Sequence, residues 1–228
     1  MLGSTRSMLG AKYRASGGGG DVVAFSDSFD NSSPEIDLSG QGWGKKLDEP
    51  WTSEGFSNFT RSAGKLINPM TLKGQRAWGT HLLDSSKIIK QEITIRTDPA
   101  GDLTFSIGVA ISENIDVRSL RDPETKSPPV LGVGCIETGW FISLNGIGAT
   151  STGINVTPSG HSLGDTVQIT LIVDAGSWDV TVYDVDTGTT ATESGTLTMT
   201  PEYAGLSMGG DQLGAWYDNY SVTYVGAA

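Results

Sequence analysis

The feature that most constrains the fold is a succession of short runs in which apolar and polar residues alternate, each bounded by turn residues. The clearest run keeps every second residue apolar at Leu103, Phe105, Ile107, Val109 and Ile111. Strict alternation places these side chains on one face of an extended strand. The 31 glycines suit strands joined by tight turns, because glycine adopts positive φ without strain. The sequence therefore predicts an all-β protein without long amphipathic helices.

The same reasoning predicts a series of strands along the chain. They cover residues 22–29, 87–96, 103–111, 130–136, 140–144, 166–174, 177–185, 189–199, 203–208 and 215–225. The turn at 98–102 predicts that 87–96 and 103–111 form a hairpin, and the turns at 175–176 and 186–188 predict a meander of three strands. The proline-containing segment 113–129 is expected to be a long surface loop.

Length and composition favour one domain preceded by an arm. With 228 residues, 37% of them hydrophobic, the chain is long enough for one large sandwich, here assigned to residues 21–228. Residues 1–20 are small and polar, carry Arg6, Lys12 and Arg14, and end in four glycines. They are expected to form a flexible arm that docks on an acidic neighbour. A solvated tail or an expression remnant is the alternative.

Charge and cysteine content exclude several classes of partner and site. The formal net charge of -11 would repel nucleic acid and anionic lipid. Cys135 is the single cysteine, so the chain has no internal disulfide, and a buried structural thiol is expected. The first 20 residues lack the apolar region of a signal peptide, and no run reaches the roughly 18 apolar residues of a membrane helix. We expect no secretion signal and no membrane span.

The two ends of the predicted body resemble a known fold family. Residues 25–30 (FSDSFD) and 216–224 (WYDNYSVTY) resemble the first and last strands of laminin-G-like and concanavalin-like jelly rolls. Trp51, Phe59 and residues 62–67 resemble the second and third elements of that family. The resemblance covers about residues 22–226. It implies a two-sheet antiparallel β-sandwich whose first and last strands lie side by side, which hides two sheet edges.

The resemblance also implies a calcium ion at the seam between these two strands. An aspartate of the last strand and backbone carbonyls hold the ion in related folds. The matching positions here are Asp218, with Asp27 or Asp30 and Gly64 as companions. Calcium takes six to eight oxygen ligands, which one carboxylate plus carbonyls largely supply. The alternative is that Asp218 and its neighbour only bond to the adjacent strand.

The carboxylates give no array typical of a glycoside hydrolase. That chemistry needs two carboxylates flanking the scissile bond, commonly on one strand face. Asp184 and Asp186 share a face but approach a turn, where carboxylates are usually solvated, and Glu113 and Asp116 fall in the predicted loop. A catalytic role is therefore not expected of these residues.

The imidazoles likewise give no recognisable motif. His81 and His161 are the two histidines, far apart in sequence and outside any zinc-ligand spacing, so a zinc site is not expected. A Ser/His/Asp triad could still assemble in space, but no Gly-x-Ser-x-Gly elbow supports one. The glycines of 132–134 and 207–210 lack a phosphate-loop setting and are interpreted as turn or strand glycines.

With carboxylate, zinc and triad chemistry not expected, the aromatic residues point to sugar binding. Sugar sites stack pyranose rings on aromatic faces and hold hydroxyls with Asp and Asn side chains. Trp140, Asn145, Trp178 and Asp211 are the candidates. The alternative for either tryptophan is packing in the core.

These observations together favour a binding protein over an enzyme. An acidic, disulfide-free jelly roll with a glycine-linked basic arm and no signal peptide is typical of a bacteriophage virion component, such as a capsid decoration, fibre or tail-associated module. Such a protein folds in the host cytoplasm and joins the particle through residues 1–20. In this interpretation the domain forms homo-oligomers or contacts host-surface glycan. A stand-alone lectin and a divergent glycoside hydrolase are the alternatives.

Overall fold

The computed structural model describes residues 20–29, 60–67, 76–97, 107–113, 130–136, 139–144, 153–209 and 214–226. These residues form strands and no helix, so none of them forms a helix long and apolar enough to span a bilayer. The strands are β1 Val22–Asp27, β2 Thr60–Ser62, β3 Lys65–Ile67, β4 Arg76–Leu82, β5 Ile88–Arg96, β6 Ile107–Ser112, β7 Val130–Ile136, β8 Gly139–Leu144, β9 Ile154–Asn155, β10 Thr166–Asp174, β11 Ser177–Asp184, β12 Thr189–Thr196, β13 Tyr203–Gly209 and β14 Trp216–Val225.

The described strands form two antiparallel sheets. Sheet A has the order β12-β11-β10-β5-β14-β3-β2, and β1 also pairs with β14. Sheet B has the order β4-β13-β6-β7-β8-β9. Apolar side chains from both sheets form one buried cluster. The predicted two-sheet β-sandwich is confirmed.

The first and last strands lie side by side, as the resemblance implied. β1 pairs with β14 in antiparallel register, with Val22 opposite Tyr224 and Asp27 opposite Tyr220. Beyond the strands, the backbone N–H of Gly226 donates to Oδ1 of Asp21 at 3.1 Å. This pairing covers an edge of each strand and ties the two ends of the described body together.

The alternation of apolar and polar residues in the sequence correctly predicts which residues of these strands of sheet A face the core. Every second residue of β10 is buried, from Val167 through Ile169 and Leu171 to Val173. The predicted meander β10-β11-β12 is confirmed. Its first turn places Gly176 at φ 92°, a left-handed conformation that glycine adopts without steric cost.

One predicted pairing is wrong. β5 and β6 do not form a hairpin, because β5 pairs with β10 and β14 in sheet A, whereas β6 pairs with β7 and β13 in sheet B. Alternation defines which face of a strand is buried but not which strand lies beside it, and both strands have partners distant in sequence. Residues 98–106 lie outside the described residues, and they include the start of the predicted strand 103–111. The predicted loop lies outside them as well, over residues 114–129.

A bulge in β14 directs two tyrosines into the core. Between Asp218 and Ser221 the register against β5 shifts, and Asn219 adopts φ 52°. One extra residue in a strand reverses the alternation beyond it. Tyr217 and Tyr220 are therefore both buried although they are three residues apart.

Both tyrosine hydroxyls form buried polar contacts at the interface of the two sheets. The Tyr217 hydroxyl donates to the carbonyl of Gly108 in β6 at 2.9 Å and accepts its N–H at 3.1 Å. Nε2 of Gln91 donates to the Tyr220 hydroxyl at 2.9 Å and to the carbonyl of Gly205 in β13 at 3.2 Å. Burial raises the pKa of the Tyr220 hydroxyl well above its usual value. These contacts join β5 and β14 of sheet A to sheet B.

Cys135 of β7 is fully buried in the core. Burial raises the pKa of its thiol to about 12, because the thiolate would lose its hydration. The prediction of a structural thiol is confirmed.

Candidate functional site

The two tryptophans predicted to bind sugar lie in the core. Trp140 is 0% exposed and Trp178 is 1% exposed. The Trp178 indole donates to the carbonyl of Thr196 at 3.1 Å and lies against Gly195 on the neighbouring strand. A fully buried ring offers no face to a sugar, so burial assigns both tryptophans to packing. Asn145 and Asp211 lie outside the described residues.

Trp140 is instead the first member of a buried polar network with His161 and Asp184. Nε1 of Trp140 in β8 donates to Nε2 of His161 at 3.1 Å. Nδ1 of His161 lies 2.7 Å from Oδ2 of Asp184 at the end of β11. The His161 and Asp184 side chains are 0% exposed. This Trp140–His161–Asp184 network connects sheet B to sheet A.

The network fixes the tautomer of His161. An indole N–H can only donate, so Nε2 of His161 must accept and carries no proton. The proton of the neutral ring is therefore on Nδ1, where it donates to the Asp184 carboxylate. Both ring nitrogens are fully used by these two bonds.

Asp184 is buried and ionised, which corrects the prediction that it is solvated. Burial raises the pKa of its carboxyl, but the hydrogen bond from the Thr187 N–H, the bond to His161 and the Asp186 N–H together outweigh burial, and the net pKa is below its usual value. Both backbone N–H groups lie 2.9 Å from Oδ1. The signal was present in the sequence, because Asp184 continues the inward face formed by Trp178, Val180 and Val182.

Asp165 extends this network into a group of three possible metal ligands, which sequence spacing did not reveal. One ligand atom each from His161, Asp165 and Asp184 lies within 4.8 Å of the others. Oδ2 of Asp165 is 3.8 Å from Nδ1 of His161 and accepts the Ser162 N–H at 2.7 Å. A metal needs a free nitrogen lone pair on histidine, but one nitrogen accepts from Trp140 and the other carries the proton. The group does not fit a metal ion in this arrangement.

The same network contains two parts of a catalytic triad but not the third. In a triad, the serine hydroxyl bonds to the histidine nitrogen that does not face the carboxylate. Trp140 occupies that position on His161, and an indole has no nucleophilic oxygen. The arrangement stabilises the join between the sheets rather than activating a nucleophile. His81 lies in β4 opposite Ala204 of β13.

The strand registers place the three residues implied for calcium along one short segment of β14. Asp27 is opposite Tyr220, and Gly64, at φ 71°, forms the turn that leads into β3. The Asp218 carboxylate accepts a hydrogen bond from Nζ of Lys65 and forms an ion pair with it. Asp30 lies outside the described residues. On that segment the Lys65 ammonium lies against the Asp218 carboxylate, the predicted calcium ligand.

The face of sheet B that points away from the core carries very small residues. Gly205, Ala110, Gly132 and Ser143 are directly opposite one another across four strands. A parallel row runs from Gly108 through Gly134 and Phe141 to Asn155. We call these two rows the outer face of sheet B. From the sequence alone, glycines 132 and 134 are interpreted as turn or strand glycines. That they lie on a common surface could not be predicted.

One polar atom of the outer face of sheet B has no partner. Oγ of Ser143 is buried and makes no hydrogen bond, and Ser143 as a whole is 1% exposed. A buried hydroxyl without a partner costs about 1 to 3 kcal/mol. Along the same face, Phe141 is half-buried and Asn155 is exposed, so the face reaches solvent at the β8-β9 edge.

Comparison by sequence gives no relative: no protein-family model matches the chain, and no curated protein does. Solved structures do resemble it. The CBM2 module of the evolved Dit protein of Lactobacillus casei BL23 phage J-1 is 8% identical, covers 92% of this chain and 98% of its own, and has a TM-score of 0.53. Basic winged bean lectin, solved with Tn-antigen, is 10% identical, covers 89% of this chain and 98% of its own, and has a TM-score of 0.60.

A third similar structure comes from work on endo-acting O-glycanases that initiate mucin breakdown, expressed by members of the human gut microbiota. It is 13% identical, covers 90% of this chain and 100% of its own, and has a TM-score of 0.56. At these identities the likeness concerns the fold alone. The described residues of this chain form a concanavalin-like jelly roll.

Proposed function

We propose that this protein is a non-enzymatic glycan-binding module carried on a bacteriophage particle. Support comes from the phage Dit CBM2 module and from the lectin solved with Tn-antigen, both of which share its fold. Because a fold hosts many functions, the proposal depends on a specific surface of this chain. That surface is the outer face of sheet B.

The observation that carries the proposal is the end of this face that reaches solvent, where the half-buried Phe141 lies opposite the exposed Asn155. The Ser143 hydroxyl, two residues from Phe141 on the same face, is buried without a partner. A sugar offers hydroxyl groups that both donate and accept, and a ligand hydroxyl that reached Ser143 would supply the missing hydrogen bond. Phe141, on the same face and half-buried, offers a ring for stacking against a pyranose. Asn155 is opposite Phe141 and adds an exposed amide.

A glycosidase is less well supported, although one similar structure concerns glycanases. None of the described strands β4, β6, β7, β8, β9 and β13 of sheet B contains Asp or Glu. Hydrolysis by the usual route needs two carboxylates near the scissile bond, and these strands supply none to the face. The proposal therefore assigns binding without turnover to this surface.

Replacing Phe141 with alanine is expected to weaken glycan binding about five- to thirtyfold, since removal of a stacking ring costs roughly 1 to 2 kcal/mol. Binding would first be located on a glycan array and then titrated by calorimetry. Tyr183→Ala is the matched control, because Tyr183 is also half-buried but lies on the outward side of sheet A. Equal loss in both variants, or no saturable binding to any glycan, would contradict the proposal. Release of reducing sugar would favour the hydrolase.

Asn145 and Asp211 remain proposed glycan contacts. In the sequence, Asn145 directly follows Leu144, the exposed last residue of the strand that carries Phe141 and Ser143. Asn145→Ala and Asp211→Ala belong in the same titrations. A change in affinity below about twofold would remove either residue from the site.

Deletion of residues 1–20 is expected to abolish attachment to the particle while the body stays folded. Pairing of β1 with β14 begins at Val22, so the deletion removes none of the described strands. Attachment would be measured by mass spectrometry of purified particles, and folding by circular dichroism. Attachment that persists without residues 1–20 would refute the role of the arm. A protein that binds glycan but is absent from particles would be the stand-alone lectin.

A further inference from the structure

Three strands meet at the bulge of β14, and their registers leave a short junction. β3 pairs with β14 up to Tyr217 opposite Leu66. β1 begins its pairing at Tyr220 opposite Asp27. Asp218 and Asn219 lie between these two pairings on the same edge of β14. This junction is the seam at which the resemblance implies a calcium ion.

The junction already contains a positive charge. Nζ of Lys65 contacts the Asp218 carboxylate and lies 4.0 Å from the centroid of the Trp216 ring. The Lys65 and Asp218 side chains are 31% and 16% exposed, so the pair is partly shielded from water. An aromatic ring below the ammonium attracts it independently of the carboxylate. Two separate interactions therefore hold the cation at this place.

A calcium ion does not fit this arrangement. Calcium needs six to eight oxygen ligands, normally with carboxylates among them. Of the carboxylates predicted to bind the ion, Asp218 is the one whose side chain is described. It is paired with the Lys65 ammonium. A divalent ion bound to that carboxylate would lie within a few ångströms of Lys65, and like charges at such distances repel strongly in a partly buried site.

We infer that the Lys65 ammonium acts as a covalently attached cation at the seam, taking the place that the fold resemblance gives to calcium and excluding that ion. The Ala63-Gly64 turn sets its position, since Lys65 follows the two positive-φ residues that close the β2-β3 hairpin. The lysine neutralises Asp218 and joins β3 to β14. The seam is then stable at any calcium concentration.

The first test is a thermal melt with calcium or a chelator. Wild-type protein is expected to show the same Tm in EGTA and in about 5 mM calcium. This calcium concentration exceeds the dissociation constants of protein modules that bind calcium weakly. Lys65→Met keeps the length of the side chain but leaves Asp218 unpaired, and its Tm is expected to fall by roughly 2 to 4 °C. Calcium is expected to restore most of this loss. A wild-type Tm that rises with calcium overturns the inference.

Terbium luminescence gives a readout independent of stability. Terbium is a calcium analogue whose emission is sensitised by a nearby indole, and Trp216 adjoins the site. Lys65→Met is expected to give saturable terbium emission that calcium competes away, while wild type gives none. Adding Asp218→Asn should remove this emission. Emission that persists in the double variant, or no emission from Lys65→Met, overturns the claim that Lys65 keeps the ion out.

Lys90→Met is the matched control. Lys90 pairs with Glu92 at 2.9 Å on β5, with side chains 27% and 41% exposed. Its replacement therefore removes a comparable ion pair that involves neither Asp218 nor Trp216. It is expected to show neither a calcium-dependent Tm nor terbium emission. A calcium response in this control equal to that of Lys65→Met would show general surface binding and overturn the inference.

Discussion

Replacing Trp178 with alanine is expected to lower the free energy of unfolding by about 3 to 5 kcal/mol. The ring is 1% exposed, and its removal leaves a cavity between sheets that cannot fully collapse. The hydrogen bond from its indole to the Thr196 carbonyl is lost as well. Urea unfolding followed by circular dichroism measures the change. Tyr183→Ala is the control, because this half-buried tyrosine lies outside the core, and a loss near 1 kcal/mol is expected.

A second substitution tests whether this packing is specific. A β-carbon added at Gly195 would lie 2.6 Å from Cζ2 of Trp178, too close for any real contact. Gly195→Ala should therefore destabilise the wild type by about 1 to 3 kcal/mol but have little effect once Trp178 is alanine. Such non-additivity is the signature of direct contact. Additive effects, or a cost below about 1.5 kcal/mol for Trp178→Ala, would contradict the assignment.

Asp184→Asn is expected to cost about 3 kcal/mol, because it removes a hydrogen bond to a charged group and leaves two buried donors facing each other. The amide oxygen can still accept the N–H groups of Asp186 and Thr187, but the amide NH₂ then faces the Nδ1–H of His161. Moving that proton to Nε2 would set it against the indole N–H of Trp140. Either tautomer leaves two donors facing each other. Urea unfolding at pH 7 provides the measurement.

The same variant should change the pH dependence of stability. The fold lowers the pKa of Asp184, so its ionised form contributes stability that is complete above the unfolded-chain pKa of about 3.9. That contribution decreases as the pH falls below about 4 and through the lower folded pKa. Wild type should therefore lose more stability than Asp184→Asn over this acidic range. Parallel curves would show that Asp184 is not the group responsible.

Asp165→Asn serves as the control for both measurements. Asp165 is 21% exposed and its oxygen accepts the Ser162 N–H, a role that an asparagine oxygen can keep. A cost below about 1 kcal/mol is expected. If Asp165→Asn were as damaging as Asp184→Asn, the proton arrangement deduced for His161 would be incorrect.

Strand positions and buried faces in the described residues could largely be predicted from sequence. The alternation in β10 and β11 gives their inward residues directly, and the turns at 175–176 and 186–188 predict that β10, β11 and β12 pair in sequence order. The partner of β5 could not be predicted in this way. Its neighbours β10 and β14 begin 70 or more residues later in the chain, and a periodic pattern contains no information on distant partners.

The candidate sites were harder to predict for a related reason. Asp184 could have been recognised as buried, because it shares a face with Trp178, but its partner His161 lies in a turn 23 residues earlier. The positions of Asp27, Gly64 and Asp218 follow from the resemblance, whereas the ammonium of Lys65 does not. The sequence gives no indication of Ser143, because what distinguishes it is that its buried hydroxyl lacks a hydrogen-bond partner in the folded protein.

The pairing of β1 with β14 has a practical consequence for any labelled version of this protein. Asp21 and Gly226 are hydrogen-bonded, so a fluorophore or affinity tag attached at residue 226 would lie beside Asp21, which directly follows the residues proposed to attach the protein to the particle. The turn at Gly188 is exposed, and a β-carbon there would have open space around it. That turn lies at the opposite end of sheet A from Asp21 and Gly226, so a probe attached there without lengthening the turn would lie far from residue 21.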